Sequence, residues 1–373
     1  MTTTPLPPSI RSVAIAGGWG YIGRKFVDAA LALGQDVAVH DPGPPPADVD
    51  RNRVRVVDEP GAFYDSAADL FHLALHPEHR RQGFARLLER ARTEPLLILA
   101  EKPMAAPEHP EECATTERAV AATRATVLYD FPELYDGLTE RILEYLGRFR
   151  TVEIREMFVT RSKDREDPAN PRNFKRMVTV QYQESVHCLA FALHLLGRLA
   201  GGVEPVLDRG VTVSAEAEPY VPPNPAAYPR PMDGRCRFEL TVGSVLVTGD
   251  TNFKRGAPWA KRREVRGLAD GRPFEVVVDY LEGRKHLTID GRPQPIDPAA
   301  SSYEQVLLTA GCWHREVGPV GLDAGVYPTP RFARFAYQLS AALWGSSHGG
   351  RPLHFASAAD LLAFDPRYPE SAS

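Results

Sequence analysis

The chain has 373 residues, with Lys+Arg 44 against Asp+Glu 48 and a net charge of −4; at roughly 150 residues per domain its length suggests two domains. That balance gives no basic face for phosphate backbones and no attraction to anionic lipid, so neither nucleic acid nor a membrane is an expected partner. A hydrophobic fraction of 43% with 25% charged residues suits a packed globular protein, no apolar run nears the ~20 residues that span a bilayer, and the Thr- and Pro-rich N-terminus shows no signal pattern, which points to the cytoplasm.

In chain order, SVAIA at Ser12–Ala16 reads as a short buried strand. Gly17-Gly18-Trp19-Gly20-Tyr21-Ile22-Gly23 follows at once, then a helix over Arg24–Leu33 with Phe26, Val27, Ala30 and Leu33 on one face. Gly34 stops it, Asp36–His40 forms the next strand, and Asp41 stands at its end. Further strands are expected over Arg53–Val57, Asp69–Leu75, Leu96–Ala100 and Ala125–Tyr129, with helices over Glu78–Arg92 and Glu108–Ala122. Strands alternating with helices imply a parallel sheet with right-handed crossovers.

From about residue 150 the pattern changes. Thr151–Thr160 alternates as a half-buried strand does, and Tyr182–Leu196 reads as a helix. Strand-like runs follow at Gly210–Ala215, Arg235–Asp250, Arg263–Arg266, Phe274–Tyr280 and His286–Ile289, with a tight hairpin at Asp290-Gly291. Arg331–Trp344 is a late helix. The fold expected is therefore α/β: a Rossmann-type dinucleotide-binding domain over residues 1–130, then an α+β domain over 131–373 with a large open, mostly antiparallel sheet. The helix at 331–344 is expected to pack back on the first domain.

Gly18, Gly20 and Gly23 make G-x-G-x-x-G between a strand and a helix, a context far more specific than the pattern alone. Gly18 permits the tight turn, Gly20 lets the backbone approach a pyrophosphate, and Gly23 lets helix pack on strand. The helix N-terminus offers N–H groups to the phosphates. Asp41 can accept the ribose hydroxyls and would repel a 2′-phosphate, which favours NAD, with NADP as the alternative; a turn residue before Pro42 is the plainer reading. Cys113, Cys188, Cys236 and Cys312 have neither zinc spacing nor a CxxC pair, and no motif argues for a metal.

The turn GGWGYIG at 17–23, LHPEH at 75–79 and AEKPMA at 100–105, with weaker matches at 184–197 and 354–364, make the chain resemble the Gfo/Idh/MocA oxidoreductases along nearly its whole length. The resemblance implies a dinucleotide cradle of Gly18, Trp19, Gly20, Tyr21, Ile22 and Gly23, with Leu75, His76 and His79 over the cofactor. It implies that Lys102 lies beside the nicotinamide and contacts the reacting oxygen, that Pro103 follows a cis peptide, and that Glu101 is near the nicotinamide ribose. It makes His187 the histidine of the substrate domain, and an open-sheet homodimer or homotetramer the expected assembly. A lysine near a cationic ring in a partly dry cleft has a lowered pKa and can shuttle the hydroxyl proton, with an imidazole opposite it.

Two departures stand out. The family's aspartate four residues before the histidine is Gln183 here, and the acid three residues after it is Ala190. Gln183 can bind substrate but cannot act as a base; Glu184 is displaced about 100° round an α-helix and could substitute only if the helix starts late. Asp130 either offers a carboxylate to a substrate amine or hydroxyl, or caps a helix over Glu133–Leu146. The basic residues Arg161, Lys163, Arg165, Arg172, Lys175 and Arg176 read as a solvated loop, with an anion site as the alternative. The expected function is hydride exchange between NAD(P) and a secondary hydroxyl or ketone of a sugar, cyclitol or related polyol. Imine reduction, a redox-neutral step with bound NAD, and a non-catalytic dinucleotide sensor are the alternatives.

Overall fold

A computed structural model describes residues 10–228, 230–296, 300–322 and 325–365. The chain divides into two compact units.

The first unit comprises the described residues through Met104, Glu112–Asp136 and those of Pro298–Arg331. Its strands are β1 (Ser12–Ala16), β2 (Asp36–His40), β3 (Val54–Val56), β4 (Leu70–Leu73), β5 (Leu96–Glu101) and β6 (Ala125–Asp130). They form a six-stranded sheet in the order β3-β2-β1-β4-β5-β6, and every pairing is parallel. Ala14, Ile15 and Ala16 of β1 and Ile98 and Leu99 of β5 are buried, as strands covered on both faces must be. The strand order reverses beside β1, which opens a crevice at the C-terminal ends of β1 and β4, where such folds bind nucleotides.

One helix of this unit escaped the sequence reading. Ser302–Glu316 packs on the helix Tyr21–Ala32 and on the short helix Pro132–Tyr135. Tyr303 meets the edge of Phe26 at 5.2 Å between ring centroids, and Trp313 meets Tyr135 at 4.7 Å. The Ser301 hydroxyl accepts from the Glu304 N–H at 3.2 Å, so the S-x-x-E start signal was there to be read.

The second unit comprises Ala105–Glu111, the described residues of Gly137–Asp297, and those from Phe332 onward. Its strands are β7 (Val152–Ser162), β8 (Val211–Pro219), β9 (Asp233–Val242), β10 (Val245–Asn252), β11 (Arg262–Ala269), β12 (Arg272–Asp279), β13 (His286–Ile289), β14 (Arg292–Pro293) and β15 (Leu353–Phe355). The order is β14-β13-β12-β11-β7-β10-β9-β8-β15. The sheet is mixed: β7 and β10 run parallel while the other pairs are antiparallel. The single run expected at Arg235–Asp250 is two strands, because Gly243 adopts φ 57 and turns the chain. The hairpin at Asp290-Gly291 is present, with φ 51 and 74, and a second forms at Asp270-Gly271 with φ 48 and 77. The late helix runs from Pro330 to Gly349. Within this unit its Tyr337 packs 5.0 Å from Tyr182, and its Phe332 ring is 6.4 Å from His194.

Candidate functional site

The glycine turn is shaped by its neighbours. A Cβ on Gly18 would stand 2.4 Å from Val39 Cγ1 of β2, and one on Gly23 would stand 2.1 Å from the Gly17 carbonyl oxygen. Both positions therefore demand glycine for packing. Gly20 is the N-cap of the helix Tyr21–Ala32 and has no side chain over the helix end. Its backbone can approach an anion, and the first N–H groups of a helix point out of its N-terminus, where an anion is favoured.

Asp41 is held by two backbone hydrogen bonds. Its Oδ1 accepts from the Gly43 N–H at 2.8 Å, and its Oδ2 accepts from the Trp19 N–H at 3.0 Å. The carboxylate is thus braced against the glycine turn, and each oxygen keeps acceptor capacity for a ribose hydroxyl. Trp19 Nε1 is buried with no partner among the described residues. A dinucleotide fits this donor and acceptor set. Gly23→Ala is expected to cost about 1–3 kcal/mol in overpacking and to abolish detectable NADH binding; titration by protein-to-NADH energy transfer checks it.

Leu75 lines the same turn, since a Cβ on Gly17 would stand 2.6 Å from Leu75 Cδ2. His76 is the N-cap of the helix Pro77–Arg90 and is exposed, with Nδ1 4.0 Å from Glu78 Oε1. His79 is exposed on the first turn of that helix.

Glu101 ends β5, and the Lys102–Pro103 peptide that follows is cis. This turn is held by a residue the sequence reading passed over. Arg80, 5% exposed, donates to the carbonyls of Glu101, Pro103 and Met104, and its guanidinium lies over the Tyr129 ring at 5.8 Å. Arg80 shares the buried face of its helix with Phe84, Leu87 and Leu88, so a cation in an apolar stripe was the available signal.

Asp130 is the cross-strand neighbour of Glu101 in the β5–β6 register. It is 2% exposed and its side chain is hydrogen-bonded to Glu101. It does not cap the next helix: Phe131 is the N-cap of Pro132–Tyr135, and a second helix, Gly137–Leu146, follows. Burial pushes Glu101 up to about 7, with Lys102, the Asp130 hydrogen bond and Arg80 pulling the other way. Burial and the adjacent Glu101 push Asp130 well above the carboxylate range. His72 lies behind them, with Nε2 3.3 Å from Glu101 Oε1, and burial lowers it to about 4.

These shifts predict a pH effect on stability. From about 4.5 to 6.5 the native state holds extra protons on Glu101 and Asp130 and lacks one on His72. The net excess makes stability fall as pH rises through about 4.5 to 7, by on the order of 1 kcal/mol per pH unit per proton. Glu101→Gln is expected to flatten that slope in denaturant unfolding measured across the window; an unchanged slope overturns the assignment.

In the second unit the helix expected at Tyr182–Leu196 begins as a π-turn, Gln181–Ser185, and becomes α-helical from Val186 to Ala200. Wide turns of this kind are frequent at functional sites, and this one takes Gln183 and Glu184 out of α-helical register with His187. Gln183 is half-buried. His187 is 3% exposed. Glu184, 1% exposed, pairs with Arg161 Nε and Lys163 Nζ, both at 2.5 Å. The start of the basic segment is therefore not a solvated loop: its first two cations neutralise a buried carboxylate. Burial lowers Lys163 to about 7, partly offset by Glu184.

Against known proteins, no family model and no curated sequence matches. Solved structures do. Levoglucosan dehydrogenase in complex with NADH and L-sorbose matches with TM-score 0.66 at 15% identity, covering 92% of this chain and 98% of that one. A myo-inositol dehydrogenase from Corynebacterium glutamicum matches at 0.61 and 14%, with the same coverage. The fold is that of the Gfo/Idh/MocA dehydrogenases. It is shared by a super-repressor mutant of Gal80p from Saccharomyces cerevisiae, at TM-score 0.65 and 13% identity over 95% of this chain and 99% of that one. Among the described residues no helix is long and apolar enough to cross a membrane, and no group of three His, Cys, Asp or Glu could hold a metal ion.

Proposed function

We propose that the chain is an NAD(P)-dependent oxidoreductase that exchanges hydride with a secondary hydroxyl or ketone of a sugar, cyclitol or related polyol. The observation that carries this is the first unit's switch-point crevice, where Asp41 is braced to the glycine turn while Lys102 stands on an Arg80-clamped turn at the end of β5. Gly18 to Gly23 take the pyrophosphate, Asp41 the adenosine ribose and Glu101 the nicotinamide ribose. Asp41 favours NAD over NADP by charge. When bound, the nicotinamide supplies the hydride acceptor or donor.

The chain's own residues do the rest. Lys102 and His187 carry the proton chemistry, Gln183 holds substrate, and the ion-paired Glu184 fixes the wide turn that presents Gln183. The cofactor-binding part is assigned to residues 1–130 and the substrate part to 131–373, with Ala105–Glu111 belonging to the second compact unit and the segments that end at Asp136 and Arg331 to the first. The assembly is a homodimer or homotetramer through the open sheet, on which Phe158 and Leu246 are exposed. Turnover of a panel of cyclitols and aldoses, or of the matching ketones, with NAD(H) and NADP(H) tests the reading. Absence of both NADH binding and turnover would refute it. A second reading, a dinucleotide sensor without turnover, draws on the likeness to a super-repressor. Tight NADH binding with no turnover on any polyol or ketone would favour it.

A further inference from the structure

The first unit buries more ionisable groups behind Lys102 than a dinucleotide site needs. Glu101 and Asp130 face each other across β5 and β6 with a direct side-chain hydrogen bond. Two carboxyls can share such a bond only if one is protonated, because like charges at that range cannot both ionise. Asp130 is the more deeply buried of the two, while Glu101 has the cations Lys102 and Arg80 beside it, so the shared proton belongs with Asp130. His72, 0% exposed, approaches Glu101 from β4 at 3.3 Å, its ring tilted at 58° to that of Phe26 with centroids 4.0 Å apart. Asp130 Oδ1 and His72 Nδ1 are both buried without a partner among the described residues. The other groups facing the pair are Lys102, Arg80, Glu133 and Tyr135.

We propose that Glu101 and Asp130 form one proton-sharing carboxyl pair, oriented by His72, that takes up the proton Lys102 removes from the substrate hydroxyl. This rests on the dehydrogenase reading above and deepens it. In the oxidising direction the substrate O–H bond breaks and its proton goes to the Lys102 amine, while the hydride leaves the carbinol carbon for the oxidised nicotinamide. The resulting ammonium passes one proton to the Glu101 carboxylate, which restores the amine and leaves the pair with two protons and no charge. The proton returns through Lys102 to water after product leaves. His72 and Asp130 are positioning residues here, since they act through Glu101. The pair gives the chain an internal acceptor where Gln183 supplies no carboxylate.

Isotope-edited infrared spectroscopy on the full-length protein without cofactor, labelled with 13C at Asp or Glu carboxyls, tests the pair itself. The expected result is a protonated aspartate carboxyl persisting at pH 7 and absent from Asp130→Asn, together with a glutamate carboxyl that ionises near neutrality. A wild-type spectrum with no protonated aspartate at pH 7 overturns the proposal and requires no variant. Proton inventories in mixed light and heavy water test the relay. Wild type should show curvature from more than one proton in flight. Asp130→Asn should lose that curvature, with kcat down roughly tenfold and KM little changed; an unchanged inventory and kcat overturn the relay. If the infrared result is as expected but NADH does not bind, the dehydrogenase reading fails while the carboxyl pair stands.

Discussion

Lys102→Ala is expected to lower kcat/KM by roughly 10²–10⁴-fold, the range for removing a positioned general acid–base group. The loss should fall mainly in kcat, because the proposed dinucleotide contacts, the glycine turn and Asp41, do not involve this side chain. NADH affinity should change only a few-fold. Lys102→Arg separates the lysine's two contributions. It keeps a cation beside Glu101 but cannot release a proton near neutrality, so it should restore any lost cofactor affinity without restoring turnover. Steady-state kinetics with NADH titration of both variants checks this. Full activity in Lys102→Ala would remove the lysine from the chemistry.

Arg80→Met is expected to cost about 3–5 kcal/mol of stability and most of the activity. The methionine fills similar volume, but the carbonyls of Glu101, Pro103 and Met104 lose a buried donor, and each unsatisfied group costs about 1–3 kcal/mol. Relief of the desolvation of the guanidinium, whose pKa burial lowers, offsets part of that total. The three carbonyls define the turn that carries Lys102, so its side chain loses its fixed direction as well. Denaturant unfolding monitored in parallel with kcat checks both halves. Arg80→Lys should recover little of either, because an ammonium cannot match the planar fork that reaches the three carbonyls. A stable, active Arg80→Met would show that the turn is held by the surrounding backbone.

The local signals that were legible share a physical basis. A strand, a glycine turn and a helix in immediate succession leave the chain few alternatives: Gly18 and Gly23 are glycines because Val39 and the Gly17 carbonyl occupy the space of a Cβ. Asp-Gly at 290–291 fixes a hairpin because both residues tolerate positive φ. Where the reading differed, a local pattern concealed a three-dimensional cause. The run Arg235–Asp250 looked continuous because both strands face the same core, and one positive-φ glycine divides them. The helix Ser302–Glu316 carries a start signal, but its apolar residues serve neighbours far away in sequence, among them Phe26 and Tyr135. The basic segment looked solvated because its counter-charge, Glu184, lies 23 residues from Arg161.

Residue order by itself determined that a parallel α/β unit precedes a sheet-rich one, and that a strand, a glycine turn and a helix are followed by a strand ending at an acid. Those features depend on backbone conformation and on period, which neighbouring residues set. Only the tertiary structure decided that Arg80 clamps the lysine turn, that Asp130 and Glu101 lie side by side before His72, and that the His187 helix opens with a wide turn around a neutralised Glu184. Each of these depends on burial and on charges brought together across strands, and no spacing along the chain encodes the desolvation that makes such groups interact.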